Sequence, residues 1–257
     1  MHKQRSAVKA SLWIAFAGVA LMPSTAVALN DTCANAHSRP MGYQFSQDGS
    51  DSTRFYRFLA AAGASYHVHA SPVGTNDNAP EFCAVDNWLD DSCTLSASAA
   101  SGDEDTNDLG SDGDGFIAES SGPHTTAIFN SPELNSFNCE TIIQETTLFS
   151  PWFFREPGSG YDGFVEIRNN TSGVAGGIVV TVFNSDGAAA GASTISIPGN
   201  GTALVQVSSL GAAVGYGSVR IATPQRPGTI VANLTTLSGL TGLSFDALFS
   251  RRESPYQ

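Results

Sequence analysis

The residues best suited to chemistry are acidic. From Ser101 to Gly115 the chain reads SGDEDTNDLGSDGDG, which brings Asp103, Glu104, Asp105, Asp108, Asp112 and Asp114 together on a glycine-rich backbone. Hard carboxylate oxygens on a bendable loop suit Ca²⁺. Read from Asp108 as an EF-hand-like loop, Asp112, Gly113, Asp114 and Glu119 fall at positions five, six, seven and twelve. Gly110 occupies the third position and Gly115 the eighth, where that loop needs a ligand and a hydrophobic residue. The expectation is therefore a looser calcium site in a β-loop, made by Asp103, Asp105, Asp108, Asp112, Asp114 and Glu119. The alternative is a solvated acidic turn.

His67 and His69 are the second candidate. On a strand, residues i and i+2 share a face, so both imidazoles could reach one metal, with His124 as a third ligand. With acids from the loop, this set would make a metal-dependent hydrolase the alternative to a non-catalytic protein. The other expectation for it is a partly exposed strand face, with Tyr66 and Val68 turned to the core. H-E-x-x-H, G-x-S-x-G, the Walker A loop and the dinucleotide fingerprint are all absent from the sequence. The reading adopted is that the chain is not an enzyme.

The four cysteines are Cys33, Cys83, Cys93 and Cys139. Their even number beside an export signal argues for disulfides, and three pairings are open. The pairing adopted is Cys83–Cys93, closing a short loop, and Cys33–Cys139, tying the start of a module to its end. No C-x-x-C pair points to zinc.

The export signal occupies residues 1–28. Lys3, Arg5 and Lys9 precede a short apolar run from Leu12 to Met22, and Ala26-Val27-Ala28 supplies a small-residue cleavage site. The expected location is outside the cell or in the periplasm, with no membrane insertion. Without that segment the chain keeps nine arginines and no lysine against 24 acids, a net charge of −15. Such a charge repels nucleic acid and anionic membranes.

The acids divide the rest unevenly. Residues 29–137 hold 16 of them against three arginines, and residues 138–257 hold eight against six. This predicts two modules with a boundary near 137–147. In the first, Arg54–Leu59 and Ser65–Ala70 read as strands around Ala62-Gly63-Ala64. Cys93–Ala99 reads as a third, and Phe116–Ala118 and Thr125–Phe129 flank Ser121-Gly122-Pro123.

The runs FYRFLAAAGASYHV and FIAESSGPHTTAIF, with the Asp-rich loop between them, resemble the bacterial pre-peptidase C-terminal domain over roughly residues 53–130. The resemblance implies a jelly-roll-like β-sandwich that accompanies secreted enzymes and is not itself catalytic.

The second module alternates more regularly. Its strands are expected at 150–154, at Val165/Ile167, Ile178/Val180/Val182, Ile195/Ile197, Val205/Val207 and Val219/Ile221, and at Ile230/Ala232/Leu234. Seven short strands, each with one apolar face, resemble the Ig-like sandwiches of bacterial surface modules. Trp152, Phe153, Phe154 and Tyr161 form an aromatic cluster beside the boundary. That position favours an interface between modules over a sugar-stacking platform.

The expected protein is all-β, with two β-sandwich modules after a cleaved signal: 29–137 acidic and disulfide-containing, 138–257 Ig-like. It is a secreted binding, adhesion or accessory module, stabilised by calcium, whose partner is a protein or glycan at a surface.

Overall fold

The computed structural model describes residues 33–47, 54–73, 83–89, 112–130 and 138–252. The signal segment, the expected strand at Cys93–Ala99, and Asp103, Glu104, Asp105 and Asp108 of the acidic run lie outside them. Among the described residues there is no α-helix, and so none long and apolar enough to cross a membrane.

The protein is all-β and folds around two separate cores. The first sandwich comprises β1 (His37–Ser38), β2 (Gln44–Gln47), β3 (Arg54–Ala60), β4 (Ser65–Val73), β5 (Cys83–Leu89), β6 (Asp112–Ile117), β7 (Gly122–Asn130) and β8 (Asn138–Glu145). One sheet has the order β1-β3-β7-β5 and the other β2-β8-β4-β6. Alternation explains the packing. Tyr56, Phe58 and Ala60 bury one face of β3 while Leu59 stays exposed. Phe58, Tyr66 and Phe116 meet in the middle, with ring centroids 5.4–6.2 Å apart. Gly63 turns β3 into β4 with φ +70°, a conformation that favours glycine.

Three expectations change here. Residues 83–89 are a strand paired with β7, not part of a loop. Asp112–Gly115 are not loop either, but the start of β6, paired with β4. Asn138–Glu145 belongs to the first sandwich, where β8 pairs with β2 and β4. The chain therefore crosses between cores at Thr146-Thr147, later than the change in charge at 137.

The second sandwich comprises β9 (Leu148–Arg155), β10 (Tyr161–Asn169), β11 (Ala175–Asn184), β12 (Ala189–Ile197), β13 (Thr202–Gln206), β14 (Gly215–Ala222), β15 (Ile230–Ser238), β16 (Ser244–Leu248) and β17 (Ser250–Arg251). Its sheets are β12-β11-β14-β9-β17 and β13-β10-β15-β16. All seven expected strands are present, and β16 and β17 extend the two sheets. Val165, Ile167, Ile178, Val180, Val182, Ile221 and Leu234 are fully buried between them.

One irregularity shapes the surface. Opposite β14, the register of β9 shifts between Ser150 and Phe153, so one extra residue bulges at Pro151-Trp152. Proline has no N–H to give a ladder and is tolerated at such bulges. The bulge re-phases the strand. Ser150 and Phe153 point inward, while Trp152 is exposed and Phe154 half-buried.

Candidate functional site

The histidines do not converge. Tyr66 and Val68 are buried in the first core, so alternation turns His67 and His69 to the other face of β4. His124 packs on the core side, 5.4 Å from the Phe116 ring and 6.2 Å from Phe58. The sheet thus separates His124 from His67, and a three-histidine metal site is not formed. His67 is itself almost fully buried, and its pKa is pulled down to about 3 from an ordinary 6.5. Burial is the main cause, helped by the charge of Arg226 and by His69. It is a neutral packing residue at neutral pH.

Of the acids singled out, Asp112 and Asp114 lie on β6, opposite Ala70 and Val68. An Asp114 carboxylate oxygen accepts the N–H of Gly115 at 2.7 Å, and Glu119 is exposed in the following turn. Among the described residues no group of three or more His, Cys, Asp or Glu is placed to hold a metal ion. The glycines between these acids are there for closeness. A Cβ on Gly113 would crowd His67, and one on Gly115 would overlap the carbonyl of Pro224 in the second module.

Cys83 begins β5 opposite Asn130, and Cys139 lies in β8 opposite Pro72. These registers put both at the end of the first sandwich away from the β3–β4 turn. Cys33 and Cys139 are disulfide-bonded.

The two modules meet in a cluster of hydrogen-bonded hydroxyls. Ser65, Thr146, Thr147 and Thr223 are all buried. The N–H of Ser65 donates to Thr147 Oγ1 at 2.8 Å, and that of Thr223 donates to Ser65 Oγ at 2.9 Å. Thr146 Oγ1 lies 2.9 Å from Ser65 Oγ and donates to the Thr223 carbonyl at 2.6 Å. Around this cluster, Arg220 lies over the β3–β4 turn and donates to the Ala62 carbonyl at 3.2 Å. Arg252 approaches the buried carboxylate of Glu145 at 3.7 Å. Burial raises the pKa of Glu145, and the positive charge of Arg252 only partly opposes that.

The opposite end of the second sandwich is built differently. Trp152 and Phe154 on β9, Tyr216 on β14, Tyr161 on β10 and Phe245 on β16 form a continuous row. Successive ring centroids lie 6.3 Å (Trp152–Tyr216), 5.0 Å (Tyr216–Phe154), 5.8 Å (Phe154–Tyr161) and 6.3 Å (Tyr161–Phe245) apart. Tyr216 is 64% exposed, Phe245 51% and Trp152 37%. The row is not an interface between modules. β9 leaves the junction at Leu148 and rises about 3.3 Å per residue, so Phe154 lies on the order of 20 Å away.

Beside the row is a cleft of about 260 Å³, lined among others by Arg155, Tyr161, Asp162, Phe164, Gln206 and Leu237. Asp162 accepts from Gln206 Nε2 at 2.5 Å and from the N–H of Gly163 at 2.8 Å. Arg155 Nη1 donates to the Ala212 carbonyl at 2.7 Å. One wall is the 157–160 turn. The Glu156 carboxylate caps it by accepting from the N–H groups of Gly158 and Ser159, and hydrogen bonding by the Ser159 side chain, then by its N–H, lowers that carboxyl's pKa. Ser238 Oγ donates to the Ser159 carbonyl at 2.8 Å, fixing the turn to β15. Asp162 and Gln206 are thus fixed by each other, and Arg155 by the Ala212 carbonyl. No family model matches the chain, and no curated protein matches it.

Proposed function

We propose that the protein is a secreted, non-catalytic binding module that attaches to a protein or glycan at a surface. The observation carrying this reading is the exposed aromatic row beside a preorganised polar cleft, at the end of the second sandwich farthest from the junction. Clefts that combine apolar faces with a few fixed polar groups are the usual form of a binding site. The first sandwich then serves as a support that resembles a pre-peptidase C-terminal domain, and the second as an Ig-like surface module. Cys33–Cys139 and Cys83–Cys93 are its proposed disulfides. Calcium at the Asp103–Asp114 run, which leads directly into β6, would brace its edge.

The test is retention of the purified mature chain on intact cells and cell-wall preparations, alongside turnover assays on glycoside, ester and peptide substrates. Retention without turnover is expected. Turnover lost in His67→Ala would replace this reading with the hydrolase. For calcium, the thermal midpoint is measured with and without chelator, and an unchanged midpoint removes the cation from the reading.

A further inference from the structure

We infer that the ligand of the distal tip is a neutral polysaccharide chain, which lies along the row Trp152–Tyr216–Phe154–Tyr161–Phe245 and seats one sugar unit in the cleft beside Asp162 and Gln206. This inference rests on the binding-module reading above and names its ligand.

The geometry points to a sugar for three reasons. First, the row is a ladder. Its centroid spacing of 5.0–6.3 Å is close to the length of one pyranose unit, so successive sugars can each meet a ring. The C–H face of a pyranose carries outward hydrogens that are attracted to the negative face of an aromatic ring. Adjacent rings are tilted by 36–65° to one another, which suits a chain that twists between units better than a flat crystalline surface.

Second, the cleft at Tyr161 offers what a sugar edge needs. Asp162, Gln206 and Arg155 all line it, and the Asp162 carboxylate and the Gln206 amide are in direct hydrogen-bond contact. The Asp162–Gln206 hydrogen bond fixes both groups in place, which lowers the ordering cost of binding. Sugar hydroxyls both donate and accept, and can replace the water these groups hold. A dry apolar partner would strip that water without replacing it.

Third, the charge selects among glycans. The second module, with eight acids against six arginines and no lysine, presents no net positive field to hold uronic, sialylated or phosphorylated polymers.

A protein partner would use a different part of the same end. Leu240 and Leu243, 72% and 56% exposed, form the apolar turn between β15 and β16. Those leucines offer nothing to a hydroxylated chain, so the two partners predict different sensitive residues.

The full mature chain is tested by affinity electrophoresis and pull-down against neutral polysaccharides: cellulose, chitin, β-1,3-glucan, xylan and an α-glucan. Retention on at least one is expected. Tyr216→Ala and Gln206→Ala should each weaken it about tenfold or more, while Leu240→Ser should leave it unchanged. Thermal melts of the three variants establish that each is folded. Cell-wall preparations are tested in parallel, untreated, periodate-oxidised and protease-treated. Binding lost to periodate and retained after protease supports the glycan. Binding that survives periodate and falls with protease or with Leu240→Ser overturns it and leaves the binding-module reading standing. Absence of retention on every polysaccharide and every cell-wall preparation overturns both. Retention on a polysaccharide that Tyr216→Ala and Gln206→Ala do not change overturns the site.

Discussion

The two ends of the second sandwich use polar and apolar groups in opposite ways. At the junction the polar groups are buried and partnered: Ser65, Thr146, Thr147 and Thr223 close a hydroxyl cluster. At the tip the apolar groups are exposed, with five rings in contact and three of them at least 37% open to solvent. Burying hydroxyls is stable only when every donor and acceptor is matched, so the junction is an end built for fixed geometry. Leaving rings exposed sacrifices hydrophobic stabilisation, so the tip is an end that folding alone does not account for.

The contrast predicts large effects at one end and small ones at the other. Gly115→Ala forces a methyl into the Pro224 carbonyl, a backbone atom that moves only if the modules separate. A loss of about 3 kcal/mol is expected in urea unfolding, and an unchanged midpoint would mean the modules are not closely packed. Ser65→Ala removes the acceptor of the Thr223 N–H and a neighbour of Thr146 Oγ1. That should cost about 2 kcal/mol, with Ser65→Thr less harmful where its extra methyl fits.

Acid should find the first-module side of this packing through His67. The folded state keeps it neutral, with a pKa of about 3, whereas the unfolded chain binds a proton below its ordinary 6.5. Protons are therefore taken up on unfolding, and stability falls as pH drops from 6.5 towards 3. The slope approaches about 1.4 kcal/mol per pH unit. Glu145 has the opposite sign. Its raised folded pKa favours the folded state below 4.5, and that contribution is lost as pH rises through the folded value. Unfolding free energies of the wild type and His67→Gln, measured from pH 7 to 4, separate the two. An equally steep acid loss in His67→Gln would remove the histidine from the account. At the tip, Tyr216→Ala should shift stability by no more than about 0.5 kcal/mol. A drop of several times that would make the row part of the fold and blur the distinction between the ends.

The parts legible in the sequence were those where burial leaves an alternating trace. Val165/Ile167, Ile178/Val180/Val182 and Val219/Ile221 each bury one strand face, and all seven strands of the second sandwich could be read from such pairs. β16 was missed because only Ala247 of Ser244–Leu248 is buried, so no apolar stripe appears. Gly113 and Gly115 looked like loop flexibility among acids, whereas they are small because His67 and Pro224 lie against them. The site was half visible. Trp152, Phe154 and Tyr161 stood out as a cluster, but closeness in sequence to the boundary suggested closeness in space, and β9 carries them away from it. Tyr216 and Phe245 join the row from strands distant in sequence, and Asp162 and Gln206 meet only through the pairing of β10 with β13.

The return of the chain to the junction has a mechanical meaning. β9 departs from Thr147, and after β17 the chain comes back to Arg252, beside Glu145. The second sandwich is thus held by both of its ends at one place, with its free end opposite. A load taken up at the tip runs down β9 and β14 parallel to the strands. Their cross-strand hydrogen bonds are then strained together in shear, not opened one after another. An attachment at Tyr216 or Trp152 would pull on the stiff direction of the fold, the orientation in which a tether resists longest before it yields.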